Sequence, residues 1–458
     1  MRLSPLLFVA SAMATLDLDL SSRSSIASAA SSVAYNMMTY YVGNQTGQVP
    51  GILPGSLSCN PNVAGTYCWW EAGAMWGSLI NYWQYTDDST YNSIVSESIQ
   101  FQRGPQNNFN PPNQSRSMGI DDQVFWAFSA LDAVESNFPE AGGDNPSWLA
   151  LAQGVFNFQT AYWDSATCGG GFRWQVYSFN SGYNLKTMGA NGGNFQLSAR
   201  LAYVTGNSTY GNWANQVWDW MYSSQLMTLS GDDLYIWDST DTANNCTNAD
   251  NLVWTYNYGT VLSGAAYMYN YTNGSSVWET RVQQILATTF LLFFPSEYGG
   301  NIMTEMECEP KLICNQDQKS FKAYLARSLA ITALLVPSTA AQITPKLQAT
   351  AQAAAESCNG GVCGEQWYLA SYDSTTGVGE EMAALSIIGA NLMDSSMIPL
   401  KLSTGATSTP DPNAGGTTGT TPSTAFTKTI TTGDRAGAAI LTILGSAFIL
   451  GGVWWLII

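Results

Sequence analysis

From residue 28 to residue 394 the apolar side chains return every three or four positions, and that spacing hardly ever gives way to the alternation of a strand. Ile120, Val124, Phe128, Leu131 and Val134 fall on one helix face, and stretches in 191–205, 251–272, 316–335 and 378–394 repeat the pattern. The periodicity predicts helices over 28–42, 66–84, 90–102, 118–138, 147–163, 191–205, 210–227, 251–272, 275–293, 316–335, 341–356 and 378–394. A chain held to that period is all-α. One stretch departs from it. Residues 169–177, Gly169 to Tyr177, alternate weakly and read as a short strand or a rim loop.

Between the helices a degenerate turn recurs. Tyr85-Thr86-Asp87-Asp88-Ser89-Thr90-Tyr91 resembles the segments 204–210 and 271–278. Each has Gly, Asn or Asp to turn the chain and Ser or Thr to cap the next helix. The copies start at 85, 204 and 271, so they lie 119 and 67 residues apart, near two units and one unit of about 60 residues, the length of a repeated helical hairpin. Six hairpins close into an (α/α)6 barrel of about twelve helices or stay open as a solenoid. Glycines inside helices, at Gly73, Gly77 and Gly264, favour the closed form, where helices approach closely.

Both ends carry address signals. Arg2 precedes the apolar run Leu6–Ala14, which ends in Ala12-Met13-Ala14, so 1–14 reads as a signal peptide. Residues 436–458 are apolar and uncharged, behind a Thr/Ser/Gly/Pro-rich stretch at 403–435. Ser423-Thr424-Ala425, with 426–435 as spacer, fits the signal for exchange of the tail for a glycosylphosphatidylinositol (GPI) anchor. Asn413-Ala414-Gly415 is the runner-up, and a permanent tail helix is the alternative. One domain, 15–402, remains between. Localisation is therefore expected at the outer face of the plasma membrane and in the cell wall. Eight cysteines in an exported chain predict up to four disulfides. The pairs 59/68, 308/314 and 358/363 could close locally, which would leave 168 with 246, but sequence does not fix the pairing. Six glycosylation sequons start at Asn44, Asn113, Asn207, Asn245, Asn270 and Asn273.

A net charge of −17 repels nucleic acid and anionic lipid. Charged residues are only 11% of the chain, beside 17 Trp and 23 Tyr, and flat rings with a polar edge suit a neutral carbohydrate. Most of those rings must be core. There is no histidine, so neither Ser-His-Asp chemistry nor a His-ligated zinc site is available, and no cofactor or metal is expected. Carboxylates remain. Asp121 and Asp122 open an apolar helix, their side chains diverging by about 100° with a rise of about 1.5 Å. Such neighbours can reach the roughly 5–5.5 Å separation of a retaining glycosidase. Helix-start amides would keep one ionised as nucleophile, and burial beside a like charge would keep the other protonated as acid. Asp87-Asp88, in the repeating turn, reads as capping. Asp232-Asp233 lies among aromatics and reads as a binding loop.

Several segments carry a family resemblance: Tyr67–Gly77, Gly119-Ile120-Asp121-Asp122-Gln123, Gly170–Gln175, Asn191–Leu201 and Trp254–Gly259. Together they resemble glycoside hydrolase family 76, the endo-α-1,6-mannanases, and within it the fungal cell-wall Dfg/Dcw branch. The resemblance implies an (α/α)6 barrel with Asp121 as nucleophile and Asp122 as general acid/base. It brings in Trp69, Trp70, Trp126, Asn191, Asp232, Asp233 and Tyr256 as substrate-binding residues. Ile120, Val124 and Asn194 depart from the family's pattern without removing a carboxylate. The partners it implies are an α-1,6-mannose glycan (mannan or the GPI core), β-glucan as acceptor, and GPI-anchored wall proteins, acted on by a monomer. The competing reading is a catalytically inactive mannan-binding or wall-organising protein. The intact aspartate pair favours the enzyme.

Overall fold

The computed structural model describes residues 15–415, with Gly433 and Thr442. The expected signal peptide and the Ser423 anchor triplet lie outside the described residues, as does the apolar tail apart from Thr442. Six helices form an inner ring: α2 (Trp69–Thr86), α4 (Ile120–Ser136), α6 (Met188–Thr205), α8 (Thr255–Tyr271), the pair α10 (Gln316–Lys319) and α11 (Phe321–Leu335), and α13 (Val378–Ala390). Each packs on the next, and α13 packs back on α2, so the ring closes. The outer helices are α1 (Arg23–Met38), α3 (Asn92–Gln102), α5 (Trp148–Thr160), α7 (Ser208–Ser223), α9 (Ser276–Phe293) and α12 (Ala340–Glu356). The structure is the closed (α/α)6 barrel, and every expected helix is present.

Two boundaries differ for local reasons. The first helix starts earlier than expected, because Ser22 accepts the Ser25 N–H and caps it ahead of the first apolar residue, Ile26. The helix expected over 316–335 is interrupted at Ser320, which separates α10 from α11. The inner helices lack a polar stripe. Every residue of α13 is buried, and in α6 every residue from Met188 to Val204. Small residues make that ring possible. A Cβ at Gly73 would lie 2.8 Å from the Trp126 ring, and one at Gly264 would lie 2.5 Å from Phe195.

The two mouths differ. At one, short turns 87–91, 137–147, 206–207, 272–275 and 336–339 lead from inner to outer helices. The repeated turn is here, with Asp87 and Gly206 in the left-handed region. At the other mouth, where the inner helices start, the long connections 39–68, 103–119, 161–187, 224–254, 294–315 and 357–377 pile up. They hold all four disulfides, Cys59–Cys68, Cys168–Cys246, Cys308–Cys314 and Cys358–Cys363. They also hold the short strands, β1 (Leu185–Thr187) with β4 (Ser239–Asp241), β2 (Met227–Ser230) with β3 (Asp233–Ile236), and β5 (Cys358–Asn359) with β6 (Val362–Cys363). Residues 169–177 are a rim loop that bridges through Phe172 to Trp163 and through Gln175 to Gly119.

Residues 403–415, expected to begin the stalk, are a strap on the barrel wall. It starts at the short-turn mouth, where the Tyr203 hydroxyl donates to Pro399 O at 2.6 Å and Leu400 N–H donates to Glu135 O at 2.9 Å. It then climbs α5. Asp411 N–H donates to Gln153, and Asn157 Nδ2 donates to Pro412 O and Ala414 O at 2.9 and 2.8 Å. The described chain therefore leaves the wall beside the last turn of α5, level with the long-loop mouth.

Candidate active site

Gly119 is the N-cap of α4, so Asp121 and Asp122 stand in its first turn. The rim loop fixes that turn from outside: Ile120 N–H donates to Trp174 O at 2.9 Å. From inside, Gln159 on α5 donates to Ile120 O at 2.8 Å. Asp121 Oδ1 accepts the Trp174 indole N–H at 2.9 Å and the Asp122 backbone N–H at 3.0 Å. Asp122 Oδ2 accepts the Gly119 N–H at 2.6 Å. Both side chains are partly exposed.

The neighbours of Asp121 come from other inner helices. A Cβ at Gly189, on α6, would lie 2.9 Å from Asp121 Oδ2 and 3.2 Å from the Tyr256 hydroxyl, so the three converge and only glycine leaves the carboxylate room. Asp317, on α10, faces the pair and receives a hydrogen bond from the Trp70 side chain. Asp238, which follows β3, sits beside Tyr256, with its carboxylate held by Asn257 Nδ2 at 3.1 Å.

Burial governs the electrostatics. It pushes Asp121 well above the usual carboxylate range, and the charge of Asp122 adds to this; the Asp122 amide and the Trp174 indole oppose it. Burial also raises Asp122 to about 7, against the Gly119 hydrogen bond and with help from the charge of Asp317. Asp317 itself rises to about 7, through burial and then the charge of Asp121. Asp238 rises to about 6, again through burial first. A cluster of carboxyls raised by desolvation and like charge holds protons near neutral pH, which acid–base work requires.

The structure sorts the expected binding residues. Tyr256 and Trp70 border the pair. Trp69 and Trp126 do not: they stack on each other at 5.0 Å, are 3% and 0% exposed, and Trp69 Nε1 donates to Gln102 between α2 and α3. Asn191 is wholly buried. Its side chain closes three hydrogen bonds, with Phe172 N–H, Phe172 O and Thr187 O, and so holds the rim loop that carries Trp174. Asp232 and Asp233 sit at the tip of the β2–β3 hairpin, and among the described residues no contact joins them to the pair. The residue of that loop that reaches the cleft is Asp238. Of the pair expected to cap, Asp87 is the C-cap of α2, whereas Asp88 accepts Thr90 N–H at 3.0 Å within the turn and the N-cap of α3 is Tyr91. The sequence reasoning missed Asp238, Asp317 and Trp174 as site residues. Among the described residues the one set of metal-donor side chains is Cys308, Cys314 and Glu365, and its sulfurs are bonded to each other, leaving a single carboxylate.

A carboxylate pair at the mouth of an (α/α)6 barrel, flanked by aromatic rings, defines a glycoside hydrolase of the helical-barrel kind. The family model described as glycosyl hydrolase family 76 matches residues 25–403, and the chain belongs to that family, in its fungal DCW1/DFG5-type branch. It is 39% identical over 444 residues to mannan endo-1,6-alpha-mannosidase DCW1 of Saccharomyces cerevisiae, covering 96% of this chain and 95% of that one. It is 38% identical over 465 residues to mannan endo-1,6-alpha-mannosidase DFG5 of Candida albicans, covering 100% and 98%. Dfg5 from Chaetomium thermophilum, solved in complex with glucosamine, superposes with a TM-score of 0.80 at 37% identity, covering 87% of this chain and 97% of that one. The GH76A α-1,6-mannanase of Salegentibacter sp. HEL1_6, at 15% identity and a TM-score of 0.61, covers 80% of this chain and 98% of its own and shares the fold.

Proposed function

We propose that this protein is a retaining α-1,6-mannosidase that works as a transglycosidase, cleaving mannose in a GPI-anchor glycan and passing the anchored protein to cell-wall β-glucan. The observation that carries the reading is the Asp121–Asp122 pair, partly exposed at the start of α4 and lodged against Trp174, Tyr256 and Asp317. Asp121 is the nucleophile of this reading: its two N–H donors favour the charged form against the burial that raises it. One oxygen of Asp122 is tied to Gly119, which leaves the other to carry a proton.

In the first step an Asp121 oxygen attacks the anomeric carbon. The glycosidic C–O bond breaks, and Asp122 gives its proton to the departing oxygen. In the second step Asp122 takes a proton from an acceptor hydroxyl, whose oxygen attacks the same carbon and releases Asp121. Two inversions give a product of retained α configuration. Water as acceptor gives hydrolysis; a glucan hydroxyl gives transfer.

The test is incubation with an α-1,6-mannose-bearing anchor glycan, with and without a β-glucan acceptor, following the anomer first formed. An α product joined to glucan is expected, and an initial β product would overturn the reading. Asp121→Asn should abolish turnover. Asp122→Asn should recover partly with an activated leaving group that needs little protonation. The anchor belongs to the same proposal. Asn413, Ala414 and Gly415 lie within the docked strap, with Ala414 O bonded to Asn157, which favours Ser423 as the attachment residue. Phospholipase should release the protein from membranes, whereas a Trp454–Trp455 peptide in the mature protein would overturn the anchor.

A further inference from the structure

The strap brings the end of the described chain from the back of the barrel to its catalytic side. Pro399 lies at the short-turn mouth, but Ala414 is bonded to Asn157, in the last turn of α5. Gln159 in that same turn holds Ile120 O, next to Asp121. From Gly415 to the Ser423 triplet there are only about eight residues, a reach of about 25–30 Å at full extension.

A second observation is independent of the strap. Among the described residues, eight of the fourteen large apolar side chains left exposed lie in the long connections of the catalytic mouth; four stand on the outer helices, and Val277 and Ile398 lie at the other mouth. Leu312, the most exposed of all at 77%, and Ile313 at 64% are held out at the tip of the Cys308–Cys314 loop. Leu57 at 59% precedes the Cys59–Cys68 loop, and Val63 at 46% lies within it. The two loops adjoin, since Gln316 N–H donates to Pro61 O at 2.9 Å. Both border the cleft: Asp317 follows the one loop, and Trp70, which donates to Asp317, follows the other. Residues 55–66 carry no charge. In the other loop Glu309 is buried, and the exposed Lys311 pairs with Glu307 at 3.3 Å. Short, cross-linked tips that show aliphatic side chains to solvent, one uncharged and the other with its charge paired, have the chemistry of a shallow insertion into a lipid interface. With a net charge of −17, the chain is drawn there by apolar burial and not by attraction to anionic headgroups.

We propose that the catalytic mouth sits against the lipid surface that carries the protein's own anchor, with the loops 57–68 and 308–314 as its seat, so that the enzyme takes glycans held in the same membrane. The proposal rests on the anchor and substrate readings above. The test uses the full anchored protein in phosphatidylcholine vesicles. One donor is an α-1,6-mannose glycan on a lipid in the same vesicle; the other is the same glycan free in solution. The double variant Leu312→Ser, Ile313→Ser should keep the wild-type rate on the free glycan and lose at least about tenfold on the vesicle-held one, since two aliphatic side chains fully withdrawn from an apolar phase cost about a hundredfold or more. A long Gly/Ser insertion between Gly416 and Ser423 should weaken the preference for donors in the same vesicle over donors in other vesicles. Unchanged rates on both donors would overturn the proposal. Equal losses on both would overturn it too, because the loops would then serve the cleft. Wild-type protein inert toward the free glycan would overturn the substrate reading, and protein not retained by the vesicles the anchor reading; either takes the proposal with it.

Discussion

At Gly189 stability and activity pull apart. Gly189 stands in the first turn of α6, where a glycine costs at most the roughly 0.5–1 kcal/mol of a helix-interior one relative to alanine, so Gly189→Ala should not lower the melting temperature much. Its Cβ would stand 2.9 Å from Asp121 Oδ2, so turnover should fall by orders of magnitude while circular dichroism and melting stay near wild type. A variant active at more than a tenth of the wild-type rate would show that the carboxylate has room to spare. Asp317 offers a second test. Its charge helps to hold Asp122 up near 7, so Asp317→Asn should move the alkaline limb of the rate profile to lower pH. An unmoved limb would mean that Asp317 does not sense the pair. Single residues were read from sequence with mixed success. The aspartate pair and Tyr256 announced themselves through composition and resemblance. Trp69, Trp126 and Asn191 stand in equally recognisable segments, yet serve by packing beneath the cleft. A motif marks what the fold needs and does not say which side chain faces the sugar.

The inner helices share a regularity that the sequence held in plain view. The second residue of each is Trp70, Asp121, Gly189, Tyr256, Asp317 and Gly379. Those of five consecutive inner helices meet around the cleft. Asp317, which lay unremarked at the start of the helix expected over 316–335, would have been found by aligning helix starts. The obstacle was that helix starts are the least certain part of any periodicity argument, and a shift of one residue turns the face by about 100°. The turn repeat and the twelve helices were legible because three- and four-residue spacing survives such errors. The loops at the catalytic mouth were not, since their order comes from disulfides and side-chain bonds between distant segments. That division predicts how the protein fails. Cys168–Cys246 spans 78 residues and should stabilise by about 4 kcal/mol, more than any of the three short bridges. Reduction should therefore abolish turnover at temperatures where far-ultraviolet circular dichroism still reports an intact barrel. Loss of both signals together would show that mouth and wall melt as one unit.

Taken whole, the molecule buries acids more heavily than it exposes bases. Burial pushes Glu365 up to about 8 and Glu381 to about 9, and it drives Glu71 and Glu305 well above their usual range. Neither oxygen of Glu71 has a hydrogen-bond partner. A carboxyl whose folded value is raised binds a proton more tightly folded than unfolded. Its contribution is full below the unfolded range near pH 4 and is lost as pH rises through the folded value. Asp88 and Asp394, held low at the surface by hydrogen bonds from Thr90 and Ser396, work the other way, but they are fewer and more exposed. The melting temperature should therefore fall between about pH 5 and about pH 9, and a rise across that window would refute the account. One consequence of the closed ring concerns time. The last inner helix, α13, packs against both α1 and α2, so the helices that leave the ribosome first wait for the one that leaves near the end. Until then the growing chain is an open crescent whose inner helices, built to be buried on almost every side, have no partner across the gap. Such a chain depends on holding factors in the secretory lumen, and its maturation is paced by the length of its own message.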